Sequence, residues 1–302
     1  PSYIYHQNVV DGLDLLFARA VIAAIGVQAA GDPDSDGDGI GVTFTSGLPG
    51  YETSIALMAI AATQTPAKVV SVAGSAVDGW TYDQVVEDVV DWMAWAQNEN
   101  PADRGGWGYQ PNSDWSDNSV TGYAALGLGY AKQFGRPAPS WVIDELALWV
   151  AAIQDPTDGA SWYRTVPGWQ RYSDLMLKTG NLLYEMALVG LPLGDANVQH
   201  AQQYIDNNWG DIGTQYQRAY CLMKGLAAYG IDDLGGTDWY DELSTWIVAD
   251  QNPNGSWTGD SHDDGTGVRS TAWALLTLEK ATAPPQPEFS LELKQRALEL
   301  VS

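Results

Sequence analysis

One unit recurs along this chain and limits what it can fold into: an apolar-striped helix, a loop rich in Gly, Pro, Asn and Asp, and a second helix built of small residues. The clearest copy begins with YDQVVEDVVDWMAWAQ (82–97), where Val85, Val89, Trp92 or Met93, and Ala96 fall at three- and four-residue steps. Val86 and Val90 widen that stripe, which predicts a helix with a broad buried face. The loop NENPADRGGWGYQPNSDWSDN follows, and then SVTGYAALGLGYAKQFG, a helix whose small residues permit close packing.

The first copy reads LDLLFARAVIAAIGVQ, an acidic loop and YETSIALMAIAAT; the apolar run 13–30 is expected to be a buried helix, since Asp14 and Arg19 argue against a membrane span. The third is WVIDELALWVAAIQ, DPTDGASWYRTVPGWQRYSD and LMLKTGNLLYEMALVG, and a shorter fourth runs ANVQHAQQYIDNN, WGDIG, TQYQRAYCLMKGLAAYG. DWYDELSTWIVADQ, NPNGSWTGDSHDDGTG and VRSTAWALLTLEKA make the fifth, and the second helices align on Thr53, Thr121, Thr179, Ala219 and Thr271. Uneven spacing between these anchors argues against a straight solenoid of constant period. A ring of helix pairs fits better, with first helices outside and second helices inside, closed through Ala56, Gly122, Ala125, Gly127, Gly180 and Ala274. ATAPPQPEF breaks the last pair, and SLELKQRALELVS predicts a closing helix at about 289–301. The expected fold class is therefore all-α: one α/α toroid, or barrel, of five to six hairpins over residues 1–302.

Charge narrows the partners. With 14 basic against 38 acidic side chains and a net of -24, the chain repels nucleic acid and anionic membrane surfaces at long range. The excess is mostly Asp, which favours turns and oxygen-ligand loops. Cys221 alone excludes an internal disulfide framework, and of His6, His200 and His262 only the last lies near acids, which leaves no zinc set. PSYIYHQNVV has neither the basic start nor the apolar centre of a signal peptide, as the mature form of an exported protein would also lack.

The stretches QNENPADRGGWGY (97–109) and QNPNGSWTG (251–259), each leading into a helix such as STAWALLTL, resemble the Gln-Trp repeat of terpenoid cyclases and the related repeats of protein prenyltransferases. The resemblance covers roughly residues 9 to 281, most closely in the second and fifth hairpins and least in the fourth. It implies an α/α toroid in which the Gln ends an outer helix and the Trp packs nearby, so that Gln97 with Trp107 and Gln251 with Trp257 tie neighbouring hairpins together. It does not carry an activity. The cyclase acid motif Asp-x-Asp-Asp finds its nearest match in DSHDD (260–264), where Ser261 stands in place of an Asp, and no basic cluster is placed to ionise a diphosphate.

DPDSDGDGI (32–40) sets Asp32, Asp34, Asp36 and Asp38 on alternate positions with Gly37 and Gly39 between them. Carboxylates on one side of a turn supply the oxygens a hard cation needs, and glycines supply the unusual backbone angles. The helix-loop-helix calcium frame fails, because its twelfth position is Thr45 counted from Asp34 and Thr43 counted from Asp32. The string resembles the calcium repeats of thrombospondin type 3, which implies Ca²⁺ on these four aspartates and an extracellular or cell-surface location. A solvated acidic turn is the alternative.

In a two-layer ring every outer-to-inner loop opens at the same end, which makes that rim the expected functional face. Acids and aromatics interleave there, and Trp107, Trp115, Tyr163 and Trp257 are candidate ligand residues, since aromatic planes beside carboxylates suit sugar rings or cationic groups. The expectation is a calcium-binding module with a structural or ligand-binding role, facing a glycan or other surface ligand and able to self-assemble as a homo-oligomer or surface lattice. The competing class is an enzyme, cyclase-like or acting on carbohydrate, with Asp114, Asp117, Asp263 and Asp264 as acids and His262, Tyr163 or Arg164 as proton carrier.

Overall fold

The computed structural model describes residues 4–260, 262–263 and 265–283. Asp264 and the expected closing helix at 289–301 lie outside the described residues.

Helices dominate. The first elements are α1 (His6–Phe17), β1 (Ala20–Ala24), β2 (Ile40–Phe44) and α2 (Pro49–Ala61). Then come α3 (Tyr82–Ala96), α4 (Asn118–Phe134), α5 (Ser140–Ile153), α6 (Leu175–Leu188) and α7 (Ala196–Asn207). A 3-10 turn at Trp209–Asp211 precedes α8 (Tyr216–Ala228), a minimal hairpin of β3 (Asp233–Leu234) and β4 (Thr237–Asp238), α9 (Trp239–Ala249) and α10 (Val268–Leu278). From the second hairpin onward these helices fall where the apolar spacing puts them. Aspartate supplies several of their starts: Asp117, Asp174, Asp195 and Asp238 accept backbone N–H groups at the first turns of α4, α6, α7 and α9. Much of the acidic excess is thus local punctuation.

The second helix of each hairpin packs on that of the next, α2 on α4, α4 on α6, α6 on α8 and α8 on α10, while α3 contacts α2 and α4, α5 and α7 contact α6, and α9 contacts α8 and α10. Small residues set the spacing within this row. A Cβ on Gly180 would lie 2.5 Å from the Cys221 carbonyl oxygen, and one on Gly127 would lie 2.7 Å from that of Ser54. The aligned threonines play the same part in four hairpins, since Thr53, Thr121, Thr179 and Thr271 Oγ1 each accept, at 3.0 Å, a backbone N–H of the preceding segment, from Phe44 at the end of β2 and from Trp107, Ser161 and Trp257 in loops. Ala219 lacks the hydroxyl, and its hairpin is the one with the shortest loop.

Tryptophan and glutamine finish the joints. Trp107 Nε1 donates to Met93 O at 2.8 Å and Trp257 Nε1 to Ile247 O at 2.6 Å, satisfying carbonyls in the last turns of α3 and α9. Gln97 Nε2 donates to Gly105 O in its own loop and to Val142 O at the start of α5, and Gln154 Nε2 reaches Asn197 O in α7 in the same way. Among the described residues, Gln251 Nε2 bonds within its own loop, to Gly255 O.

Among α4, α6 and α8 sits a buried lysine. Lys224 Nζ, with its side chain fully buried, donates to Gly122 O at 3.0 Å among the rings of Tyr123, Tyr184 and Tyr220. Burial raises the Glu185 carboxyl to about 8, against the pull of Lys224, and Trp149 Nε1 donates to its Oε2. Cys221 is buried beside them, its thiol pushed up to about 11 by desolvation.

The first hairpin departs from the sequence reading. The run expected as one buried helix over 13–30 ends its helix at Phe17, and residues 20–24 form β1, antiparallel to β2 from Ala20↔Phe44 to Ala24↔Ile40. Val21 and Ile22 stand 44% and 39% exposed, so their apolarity does not mark a helical core face. Their β-branched side chains suit a strand, and IGVTF offers the ladder partner that a local pattern does not reveal.

Candidate metal centre

The β1–β2 pair projects residues 25–39 as one loop, and each aspartate in it first organises its own backbone. Asp32 Oδ1 accepts the Asp34 N–H, Asp36 Oδ1 the Asp38 N–H and Asp38 Oδ1 the Ile40 N–H. Asp34 takes two, from Gly37 and Gly39, both at 2.8 Å. Gly37 and Gly39 have φ of 85° and 79°, the left-handed region that glycine enters without strain. The outcome is a tight coil with Asp34, Asp36 and Asp38 carboxylate oxygens within 4.8 Å of one another.

The loop does not stand alone. β2 lies directly on α3 at Gly41, where a Cβ would come within 2.9 Å of Trp92 Cβ. That approach sets the loop over Asp88 and Asp91, three residues apart on α3 and so on one helical face. Asp36, Asp88 and Asp91 form a second group with oxygens inside 4.8 Å, sharing Asp36 with the first. Ligands at about 2.3–2.6 Å from a common Ca²⁺ sit at most roughly 5 Å apart, so both groups have the required spread.

The two helix aspartates differ in their partners. Asp91, 1% exposed, accepts the Ser35 N–H and Oγ–H, both at 2.9 Å. Asp88, 4% exposed, receives no hydrogen bond from any described residue. Arg136, the arginine that bonds to α3, is committed to Asp83 and Glu87. Desolvation first, then the charges of Asp38 and Asp36, raises the Asp88 carboxyl to about 7. Desolvation, offset by the two Ser35 bonds, puts Asp91 at about 6. A buried carboxylate without donors is relieved by a proton or by a cation, and an all-oxygen set favours a hard one.

Of the four predicted ligands the structure gathers Asp34, Asp36 and Asp38. Asp32 is exposed, closes a turn and belongs to neither carboxylate group. Asp88 and Asp91 escape a reading of the sequence because they lie outside the apolar stripe of 82–97, on the side where acids are expected to be solvated. Only the loop that covers that side buries them.

The rim residues divide as well. Trp107 and Trp257 are 1% and 2% exposed, so they are corrected from ligand candidates to core side chains. Trp115 is half-buried, edge-on to Tyr109 at 5.0 Å with Arg164 over its ring. Tyr163 donates its hydroxyl to Asp117 Oδ2 at 3.0 Å. Asp117 is fully buried as the cap of α4, its pKa raised chiefly by desolvation. Asp263 accepts the N–H groups of Gly265, Gly267 and Ser270 at the start of α10. Asp117 and Asp263 thus serve two different helix starts, Asp114 is exposed, and His262 Nδ1 lies 3.3 Å from Gln215 Nε2 and 3.5 Å from Asp260 Oδ1. The second and third loops do meet, through Arg164 and Thr165 bonding Asp103. Comparison of the chain with family models and with curated proteins found no match, so the assignment rests on its own residues.

Proposed function

We propose that this protein is a calcium-binding α/α toroid of the extracellular or cell-surface type, acting as a structural or ligand-binding module. Asp88 carries the reading: a buried carboxylate with no donor among the described residues, aimed at the coil that presents Asp36. Ca²⁺ held by Asp34, Asp36 and Asp38 from the loop and Asp88 and Asp91 from α3 would pin the first loop to the second hairpin. A ligand that prefers the folded state stabilises it, so the metal would act as a clasp between repeats. The toroid is supported by the serial packing of α2, α4, α6, α8 and α10, and by the Tyr220 hydroxyl of α8 reaching Met58 Sδ of α2 at 3.7 Å. None of the described helices is long and apolar enough to cross a membrane.

Calorimetric titration of chelator-treated protein tests the centre. Ca²⁺ is expected to bind the native chain and to bind Asp88→Asn and Asp36→Asn at least about tenfold more weakly, a loss of about 1.4 kcal/mol. Absence of heat at millimolar Ca²⁺, or equal affinity in Asp88→Asn, would overturn the assignment. Light scattering with and without chelator tests calcium-dependent self-assembly. The enzyme reading has weaker support, because Asp117 and Asp263 already serve helix starts.

A further inference from the structure

A second site lies where the first turns of α2, α4, α6 and α8 converge. A cavity of about 210 Å³ opens there, walled by Tyr51, Tyr109, Tyr163 and Tyr172 with Lys178 and Gln217. The tyrosines stand in two pairs, Tyr51 with Tyr109 at 5.6 Å and Tyr163 with Tyr172 at 5.3 Å between ring centroids.

Two polar groups in it are held out of water and under-used. Gln217 is 8% exposed, and its Oε1 has no hydrogen-bond partner among the described residues. Lys178 is 2% exposed; its ammonium donates to Tyr172 O and lies 5.4 Å over the Tyr163 ring. An ammonium has three donors, and no described carboxylate pairs with this one, since Asp174 is taken by Arg218 at 2.6 Å. The chamber therefore offers a buried acceptor, spare donors and flat ring faces within one small volume.

We propose that this chamber binds a single neutral sugar ring. A hydroxylated ring satisfies both polar groups once the Gln217 side chain turns its covered Oε1 into the chamber, because each hydroxyl donates to Gln217 Oε1 or accepts from Lys178 Nζ, while its C–H faces rest on the tyrosines. Lys178 disfavours a cationic ligand, the Asp174 carboxylate on the same wall is already paired with Arg218, and a net charge of -24 opposes a polyanion on approach. The volume, below the roughly 300–1,000 Å³ of drug-sized pockets, limits the occupant to about one ring. The Asp34, Asp36, Asp38, Asp88 and Asp91 centre is not involved, so this site stands or falls without calcium.

Saturation-transfer NMR tests it with glucose, galactose, mannose and N-acetylglucosamine, each as the free sugar and as its methyl glycoside, and with glucuronate and choline as charged controls. At least one neutral sugar is expected to bind and to weaken about tenfold or more in Gln217→Leu and in Tyr172→Ala. Binding of the free sugar alone assigns a monosaccharide, and equal binding of the glycoside assigns the end of a glycan. Tyr172 is 54% exposed, so Tyr172→Ala leaves the core intact and decides the matter should Gln217→Leu fail to fold. No neutral binder, a stronger charged binder, or binding that survives Tyr172→Ala would overturn the proposal.

Discussion

Asp88 on α3 and Asp36 in the first loop bring carboxylate oxygens within 4.8 Å of each other, joining a helix of one hairpin to the connection of another. Without a cation this contact is repulsive and half-desolvated, and that determines how the protein responds to pH.

Asp88 and Asp91, at about 7 and about 6, hold protons more tightly in the folded chain than the usual carboxylate does. The folded state therefore binds more protons than the unfolded state from about pH 4 up to about pH 7, and these two groups cost stability as pH rises through that window. Metal-free protein is expected to melt higher at about pH 5.5 than at about pH 8, with a smaller difference in Asp88→Asn. Saturating Ca²⁺ should remove most of the difference, and Ca²⁺ affinity should fall on acidification as the ligands protonate. Melting curves at both pH values, with Ca²⁺ and with chelator, check all three.

Gln97 and Gln251 occupy equivalent positions and differ in consequence. Gln97→Leu orphans the Gly105 carbonyl and removes the cross-link to Val142 O, whose carbonyl keeps its bond within α5, and should cost roughly 1–3 kcal/mol in urea unfolding. Gln251 is exposed with one bond inside its own loop, and Gln251→Leu should stay within about 0.5 kcal/mol of the native chain.

Thr121→Val keeps the shape of α4 and removes the oxygen that accepts the buried Trp107 N–H. The expected loss is roughly 1–3 kcal/mol, the cost of one unsatisfied donor. Ala219→Thr in the fourth hairpin is the counterpart: with no equivalent loop N–H assigned to it, the change should give no stabilisation in the same assay.

Two glycines in helices should respond in opposite directions. Gly12 lies in α1 with nothing within 4 Å of an added Cβ, and Gly12→Ala should stabilise by about 0.4–1 kcal/mol through the unfolded chain. Gly180→Ala would drive a Cβ to 2.5 Å from the Cys221 carbonyl oxygen, and backbone on the neighbouring helix has little room to yield. Overpacking of this kind costs about 1–3 kcal/mol or more, read by the same unfolding curves.

Helix positions were legible because a helix buries a stripe whose period is local, so Val85, Val89 and Ala96 announce α3 without reference to any other segment. The aligned threonines were legible as an alignment, but their purpose was not: an Oγ1 that accepts a loop N–H is defined by the fold of the loop. The acidic coil could be read from Asp and Gly alone, since Asx turns and left-handed glycines are short-range. Trp107 and Trp257 were ambiguous between rim and core, and it was the ends of α3 and α9, offering the Met93 and Ile247 carbonyls, that drew them inside.

By itself the chain determined what neighbouring residues can settle among themselves: where helices run, where turns break them, and which loop concentrates carboxylates. Only the tertiary structure decided that residues 20–24 pair as a strand, that Asp88 and Asp91 face the Asp34–Asp38 coil, and that Lys178 and Gln217 share a chamber with four tyrosines. Strand partners, desolvation and convergence of side chains are properties of contacts between distant segments, and no spacing within one segment encodes them.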